Sequence, residues 1–274
     1  MQKRYFQEQS IALGCTIATC LVLIGLVWLE ITGLNHIISE KISLAVRPMD
    51  ILIGATIYLK TAIDFAIFIA RLMAKNPGLR GRIGIEVGTA LGNGVGTMAI
   101  LLVWAFFREV NWLLALMVFV AALVLLRLAQ DTLVHVGEQD SKLEKLTGRF
   151  ERLLGMFNKI TEPLLSRIVP SQSLHVVRKK TFGALLMLAF TVPFILGLDD
   201  FAGYVPVFSL VNVFGFVIGV LVGHMLLNIS LYISPRRTIK AVKNPVIALV
   251  GSAAFIVLAA WGMFESFKLV LHNA

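Results

Sequence analysis

The chain has 274 residues, of which 58% are hydrophobic and 15% are charged, and its formal net charge is +9. Soluble domains are about half apolar and about a quarter charged, so this composition excludes an ordinary soluble domain and indicates a membrane protein. The basic residues cluster in links between apolar runs, a pattern that reflects membrane topology, and we therefore expect no nucleic-acid partner.

Apolar runs of about twenty residues or more, the length at which a helix crosses the hydrocarbon core, recur along the chain. They predict an all-α integral membrane protein with seven transmembrane helices. Six lie at about residues 11–34, 50–73, 83–107, 110–128, 208–234 and 246–271, and the fifth starts near residue 181 and passes through Asp199 and Asp200. The first run is longer than a signal-peptide core and no small-x-small cleavage site closes it. We therefore predict that it is a retained helix.

Links that are rich in Lys and Arg alternate along the chain with links that are poor in them. Cytoplasmic links hold an excess of these residues. The rich links contain Arg71, Lys75, Arg80 and Arg82, then Arg127 to Lys180, then Arg236, Arg237, Lys240 and Lys243. The pattern predicts a cytoplasmic N-terminus and an outside C-terminus, and we expect a multi-pass protein of the prokaryotic inner membrane.

This topology gives the helices of residues 50–130 and those of residues 181–274 opposite orientations, as in the inverted repeats of many transporters. Ile63-Asp64-Phe65-Ala66 in the first triplet matches Asp199-Asp200-Phe201-Ala202 in the second. Small-residue spacing, which lets helix backbones approach, recurs in the following helix of each triplet, at Gly88, Gly92 and Gly96 and at Gly215, Gly219 and Gly223. We predict an extra N-terminal helix and link (1–49), two inverted three-helix repeats, and a cytoplasmic link between them (131–180).

The link at 131–180 contains apolar residues at spacings of three and four between about residues 143 and 160, with basic residues among them. This periodicity predicts an amphipathic helix on the cytoplasmic membrane surface. A regulatory hairpin that docks a partner is the alternative.

Acidic residues interrupt two of the apolar runs, at Asp64 and at the pair Asp199 and Asp200. Charged groups within a membrane usually face a bundle interior or a cavity. Carboxylate oxygens suit hard divalent cations, so we predict a metal site formed by these three acids. The alternative places Asp199 and Asp200 in an extracellular loop.

Further polar residues in the runs are candidates for the same site. Thr61, Asn93 and Asn212 offer oxygen ligands, while Lys60 and His224 are candidates for coupling or gating. Lys60 can instead neutralise Asp64 one helical turn away, and His224 can be a packed, hydrogen-bonded histidine. For Glu86 we expect a cap or an ion pair with Arg82.

The segments Thr61-Ala62-Ile63-Asp64-Phe65-Ala66 and Gly197-Leu198-Asp199-Asp200-Phe201-Ala202 resemble the two repeat motifs of cadmium-resistance (CadD-type) transporters, which belong with the LysE, TerC and manganese-exporter families. The resemblance covers roughly residues 50–130 and 181–270. It implies two inverted three-helix repeats, with Asp64, Asp199 and Asp200 as the ion-binding acids at their centre.

We expect a secondary transporter, not an enzyme, that exports a divalent cation (Mn, Ca, Mg or Cd class) by proton-coupled alternating access. Export of an amino acid or small organic solute, held by Lys60, is the alternative, and a membrane scaffold is a third. An intramembrane aspartyl protease fits poorly, because Gly197-Leu198-Asp199-Asp200 departs from its Gly-x-Gly-Asp motif. We expect no cofactor. The expected partners are the lipid bilayer and the cation or solute, with a homodimer left open.

Overall fold

A computed structural model describes residues 2–139, 148, 151–156, 158–159, 181–208, 210–242 and 244–271. Among these, the side chains of residues 2–7, 63–64, 135–139, 195–203, 242 and 247 are outside the description. The described residues form helices and no strands, which confirms the all-α prediction. The helices are α1 (Gln2–Leu34), α2 (Pro48–Thr61), α3 (Ile63–Lys75), α4 (Leu79–Phe107), α5 (Asn111–Gln139), α6 (Phe182–Phe208), α7 (Val213–Ile233), α8 (Pro235–Val242) and α9 (Pro245–Leu271).

Within the described residues, five helices are long and apolar enough to cross a membrane, in α1, α4, α5, α7 and α9. The pair α2 and α3 passes the same test jointly and would raise the number to six. A shorter apolar stretch, Phe182–Phe194, lies in α6. The chain is therefore a multi-pass membrane protein.

The second predicted helix, Asp50 to Met73, is two helices in the structure, so the prediction of one continuous helix is wrong. α2 ends at Thr61 and α3 begins at Ile63, with a bend of 68° between the two parts. Ala62 has ψ 18°, outside the helical range, and the Thr61 hydroxyl donates to the Tyr58 carbonyl at 3.1 Å. Threonine hydroxyls compete for backbone carbonyls in this way.

The chain divides into two compact units. The first comprises Met1–Leu102, Ser173–Asp200 and Val211–Ile239, and the second comprises Val103–Gln172, Phe201–Leu210 and Lys240–Ala274. Helices α4 and α6 contribute residues to both units. The candidate site lies in the first unit.

In the first unit, α2 and α7 pack with their backbones in close approach. A Cβ atom at Gly219 would overlap the carbonyl oxygen of Ile51, and one at Gly54 would overlap the carbonyl oxygen of Phe216. One turn away, a Cβ atom at Gly223 would lie 3.0 Å from the carbonyl oxygen of Ala55. These contacts require glycine, as the small-residue spacing predicts.

Helices α4 and α6 approach each other in the same manner. A Cβ atom at Gly88 would lie 2.6 Å from the carbonyl oxygen of Leu186, and one at Gly92 would overlap the carbonyl oxygen of Phe190. The outer helix α1 also packs on α4, because Leu23 fills the space above Gly94. α4 is therefore held on two sides by close contacts.

In the second unit, α5 packs along α9. Their hydroxyl contacts are interhelical: Ser252 donates to the Ala129 carbonyl at 3.0 Å, and Ser266 donates to the Ala115 carbonyl at 2.8 Å. The predicted amphipathic helix of the 131–180 link lies partly outside the described residues. Of its described part, Leu154 is buried in the α5–α9 core and Asn158 donates to Gln130 of α5.

Substituting Gly219 by alanine tests the α2–α7 approach. Gly219→Ala should lower the free energy of unfolding by about 1–3 kcal/mol, because overpacking forces the two backbones apart. Thermal unfolding of purified protein in detergent measures the effect. Gly25→Ala in α1 is the matched control, since a Cβ atom there would meet nothing within 4 Å. Equal melting temperatures for the two variants would contradict the packing.

Candidate functional site: a polar cluster inside the helical bundle

His224 lies at the centre of a buried polar cluster between α2, α4 and α7, and its exposed fraction is 0%. Its Nδ1 is hydrogen-bonded to the Tyr58 hydroxyl at 2.8 Å. Its Nε2 faces the Thr89 hydroxyl at 3.3 Å and the Asn228 amide nitrogen at 3.0 Å. Each of the three helices therefore contributes a polar group to one imidazole.

The local sequence explains why these groups meet. Gly223 precedes His224, and a Cβ atom at Gly223 would lie 3.0 Å from both the Ala55 carbonyl and the Tyr58 ring. The absence of that side chain brings the phenol within reach of the imidazole. Phe65 closes the cluster from α3, with its ring stacked on the His224 ring at a centroid distance of 6.1 Å.

The hydrogen bonds of the cluster allow the imidazole to carry its proton on either nitrogen. The Thr89 hydroxyl donates its hydrogen to the Glu86 carbonyl at 3.1 Å, so its oxygen remains an acceptor for an Nε2 proton. When Nε2 carries no proton, it accepts from the Asn228 amide. Nδ1 can accept from or donate to the Tyr58 hydroxyl. This arrangement can take up and pass on a proton, the usual chemistry of histidine at functional sites.

A polar stripe runs along α4, formed by Glu86, Thr89, Asn93 and Thr97. All four residues are at most 2% exposed. Their spacing places them on one face of a helix. The Thr97 hydroxyl donates to the Asn93 carbonyl at 2.9 Å, whereas the Asn93 amide nitrogen has no hydrogen-bond partner in the described residues. Asn93 therefore keeps an unused donor inside the bundle.

The Glu86 carboxyl group faces α1, where Gln9 Nε2 lies 3.4 Å from Oε1 and the Thr16 hydroxyl lies 3.2 Å from Oε2. The expectation of a cap or an Arg82 ion pair is wrong. Glu86 lies two turns into α4, and the Arg82 guanidinium is instead stacked over the Tyr232 ring at 5.0 Å. Tertiary contact with α1 replaces the predicted local partner.

The predicted coupling residue Lys60 and the predicted ligand Thr61 lie in the last turn of α2, close to the cluster along the chain. Both side chains are half-buried. The Thr61 hydroxyl donates to the Tyr58 carbonyl, and Tyr58 in turn contacts His224. Two of the predicted site residues therefore contact Tyr58: Thr61 bonds its backbone carbonyl, and His224 bonds its hydroxyl.

The three predicted acids have helical backbones, Asp64 in α3 and Asp199 and Asp200 in α6, but their side chains lie outside the described residues. The metal site that they would form stays a prediction. Asp64 is the second residue of α3 and directly precedes Phe65, whose ring contacts His224. Asn212 is the residue before α7 and makes no side-chain cap. Its predicted ligand role is likewise untested.

Among the side chains that the structure describes, no group of three His, Cys, Asp or Glu residues could hold a metal ion. The described polar cluster instead contains hydroxyl, amide and imidazole groups. Its chemistry favours proton exchange and hydrogen bonding.

The fold and the cluster define a multi-pass α-helical membrane protein with a buried polar core in its first unit. No family model, curated protein or solved structure matches the chain. The resemblance to CadD-type transporters therefore rests on the two short motifs alone.

Several residues of the cluster are missing from the sequence-based prediction, namely Tyr58, Thr89, Asn228 as a site residue, Gln9 and Thr16. The stripe on α4 carries a signal in the sequence, because polar residues at positions 86, 89, 93 and 97 share one helical face. Tyr58, Gln9 and Thr16 carry no comparable signal, since their partners lie far away in the sequence.

A double-mutant cycle tests the contact between α2 and α7. Tyr58→Phe and His224→Phe should be coupled by about 0.5–3 kcal/mol in the free energy of unfolding, because each substitution removes the same hydrogen bond. Chemical unfolding in detergent measures both single variants and the double variant. Tyr58→Phe combined with Thr132→Val is the control, because the Thr132 hydroxyl bonds within α5 in the second unit, and its effects should add. Additivity in the His224 cycle as well would rule out the contact.

Proposed function

We propose that this protein is a secondary transporter that exports a divalent cation of the Mn, Ca, Mg or Cd class across a prokaryotic inner membrane. Transport proceeds by alternating access and is coupled to protons. The chain crosses the membrane seven times from a cytoplasmic N-terminus, with α2 and α3 as one broken span and α6 as a complete one. Residues 50–130 and 181–274 form the two inverted repeats.

The observation that carries the proposal is the break between α2 and α3. Transporters commonly bind substrates and coupling ions where a membrane helix is discontinuous, because the break frees backbone groups for the ligand. Here the break at Ala62 separates Thr61 from Asp64, and Phe65 beyond it contacts the buried His224. A broken span, an acid and a buried polar cluster therefore coincide in one region.

The packing of the first unit supports the inverted repeats. Gly88 and Gly92 of the first triplet pack on α6 of the second, and Gly215 and Gly219 of the second triplet pack on α2 of the first. Each triplet thus places the glycines of its second helix against the first helix of the other. In the second unit, the third helices, α5 and α9, pack together.

The residue types favour a hard cation. Asp64, Asp199 and Asp200 supply carboxylate oxygens, and Thr61, Asn93 and Asn212 supply neutral oxygens, which suit Mg²⁺, Ca²⁺ and Mn²⁺. His224 and Lys60 are the coupling residues of the proposal. Asn93 is 2% exposed, and its side-chain carbonyl oxygen is the atom that would bind the cation.

Export of an amino acid or other small organic solute is the second candidate. Lys60 favours it, because a lysine in the last turn before the break could hold a substrate carboxylate. Such transport should persist when divalent cations are chelated. A scaffold role is the third alternative and predicts no flux at all.

Uptake of labelled Mn²⁺ or Cd²⁺ into proteoliposomes tests the proposal. Asp64→Asn and Asp200→Asn should each reduce the initial rate at least about tenfold, because each removes a charged ligand of a hard cation and tenfold corresponds to only about 1.4 kcal/mol. Asp50→Asn is the matched control, since Asp50 lies on the same broken span and its carboxylate is held by Arg47 at 3.1 Å.

Asp50→Asn should transport at the parental rate. If Asp64→Asn and Asp200→Asn also match the parent, the acidic cation site is refuted. If the parent carries no metal but exchanges labelled amino acids in the presence of a chelator, the organic-solute function replaces it.

A further inference from the structure

A cavity of about 270 Å³ lies in the first unit, beside the beginning of α4. Its polar lining comes from Glu8 and Gln9 of α1, Arg82 of α4 and Tyr232 of α7. α3 contributes only apolar side chains to the lining, among them Met73 and Ala74. The Arg82 guanidinium is held at the wall, stacked on Tyr232 at 5.0 Å and donating to the Met73 sulfur at 3.0 Å.

Gln9 connects this cavity to the carboxyl group of Glu86. Its side chain lines the cavity, and its Nε2 donates to Glu86 Oε1 at 3.4 Å. Gln9 is only 7% exposed, and its Oε1 has no hydrogen-bond partner in the described part of the chain. An unused buried acceptor thus lies between the cavity and a carboxyl group that is 0% exposed.

The Thr16 hydroxyl faces two acceptors if the Glu86 carboxyl group is ionised. The Thr16 hydroxyl has one hydrogen, and two acceptors face it: the Ala12 carbonyl at 3.0 Å and Glu86 Oε2 at 3.2 Å. The shorter contact is the usual bond of a helical threonine to the carbonyl four residues earlier. When the hydroxyl hydrogen lies on the Ala12 carbonyl, the contact with Oε2 is made by a hydrogen on Glu86.

From this geometry we propose that Glu86 is a proton-binding site that exchanges with water through the cavity beside Gln9 and Arg82. The proton resides on Oε2 and donates to Thr16, while Oε1 accepts from Gln9. On release, the proton passes to water in the cavity. The proton-binding site itself does not depend on the proposed function. A role of Glu86 in coupling proton flow to cation export does rest on the proposed function.

The charges around Glu86 fit a group that changes protonation. Arg82 lies one turn earlier on α4 and lines the cavity, and Glu8 on α1 faces the same cavity. On α7 the titratable groups are Tyr232, which lines the cavity, and His224. His224 contacts the Thr89 hydroxyl, which donates to the backbone carbonyl of Glu86. The stretch Phe182–Phe194 of α6, which packs near Gly84 and Gly88, contains no titratable residue.

Infrared difference spectroscopy of the purified full-length protein tests the site without any transport assay. The parent should show the carbonyl stretching band of a protonated carboxylic acid, and the band should decrease as the pH is raised. Glu86→Gln should abolish that component, because the amide is of similar shape but binds no such proton. Glu265→Gln is the matched control in α9, where the carboxylate is paired with Lys268 at 3.8 Å, and it should leave the band unchanged.

A second pair of variants tests the hydrogen bond that defines the proton's position. Thr16→Val removes the acceptor of the Glu86 proton and should shift the band to higher frequency. Thr19→Val is the control on the same helix, since its hydroxyl donates to the Cys15 carbonyl at 2.8 Å and does not contact Glu86. If Glu86→Gln does not fold, the comparison of Thr16→Val with Thr19→Val tests whether the band belongs to Glu86.

Exchange in heavy water tests the route. The band should shift at once in the parent and at least about tenfold more slowly in Ala74→Trp, which fills the cavity, a change of about 1.4 kcal/mol in the barrier. Ala260→Trp, at an exposed position of α9, should behave like the parent. The proposal is overturned if the parent has no carboxylic acid band that Glu86→Gln removes, or if Ala74→Trp exchanges as fast as Ala260→Trp.

Discussion

The close approach of helix backbones at glycine is the constraint on which the first unit depends. α7 meets α2 at Gly215, Gly219 and Gly223, and α4 meets α6 at Gly88 and Gly92. Lipid tails are as apolar as the side chains, so burying apolar side chains between helices gives little hydrophobic free energy in a membrane. Membrane helices therefore associate through such close packing and through polar contacts. The glycines thereby set the distance at which side chains from neighbouring helices can reach one another, and the Tyr58–His224 contact follows from it.

The polar cluster is tolerated inside the bundle because most of its members form hydrogen bonds with one another. An unpaired buried polar group costs about 1–3 kcal/mol, whereas a paired one can contribute to stability and to a unique packing. The cluster is not fully paired within the described residues, since Asn93 Nδ2, Asn228 Oδ1 and Gln9 Oε1 have no partner. Asn228 Oδ1 and Gln9 Oε1 can bind a cation or accept a hydrogen bond from water, whereas Asn93 Nδ2 can only donate to an acceptor such as water. Asn228 lies beside His224, and Gln9 lies beside Glu86.

The sequence predicts the apolar helices and the close contacts at glycine, because regular glycine spacing stands out in apolar helices. It also marks Asn93 and His224 as polar residues inside such helices, and their ligand and coupling roles stay predictions. It does not predict the break at Ala62, since no glycine or proline marks that position. Glu86 is misread because its four-residue spacing from Arg82 suggests a local pair, whereas its partners lie 70 and 77 residues away on α1. Tertiary partners of this kind leave no periodic signal.

The proposed transporter depends on two triplets of opposite orientation around this core. Labelling of single cysteines in intact cells with a membrane-impermeant maleimide tests it most directly, in a background in which Cys15 and Cys20 are replaced by serine. Lys41→Cys precedes the first triplet and Thr181→Cys precedes the second, and both positions are exposed. The proposed topology predicts that Lys41→Cys is labelled from outside and Thr181→Cys only after permeabilisation. Labelling of both from the same side would contradict the inverted repeat.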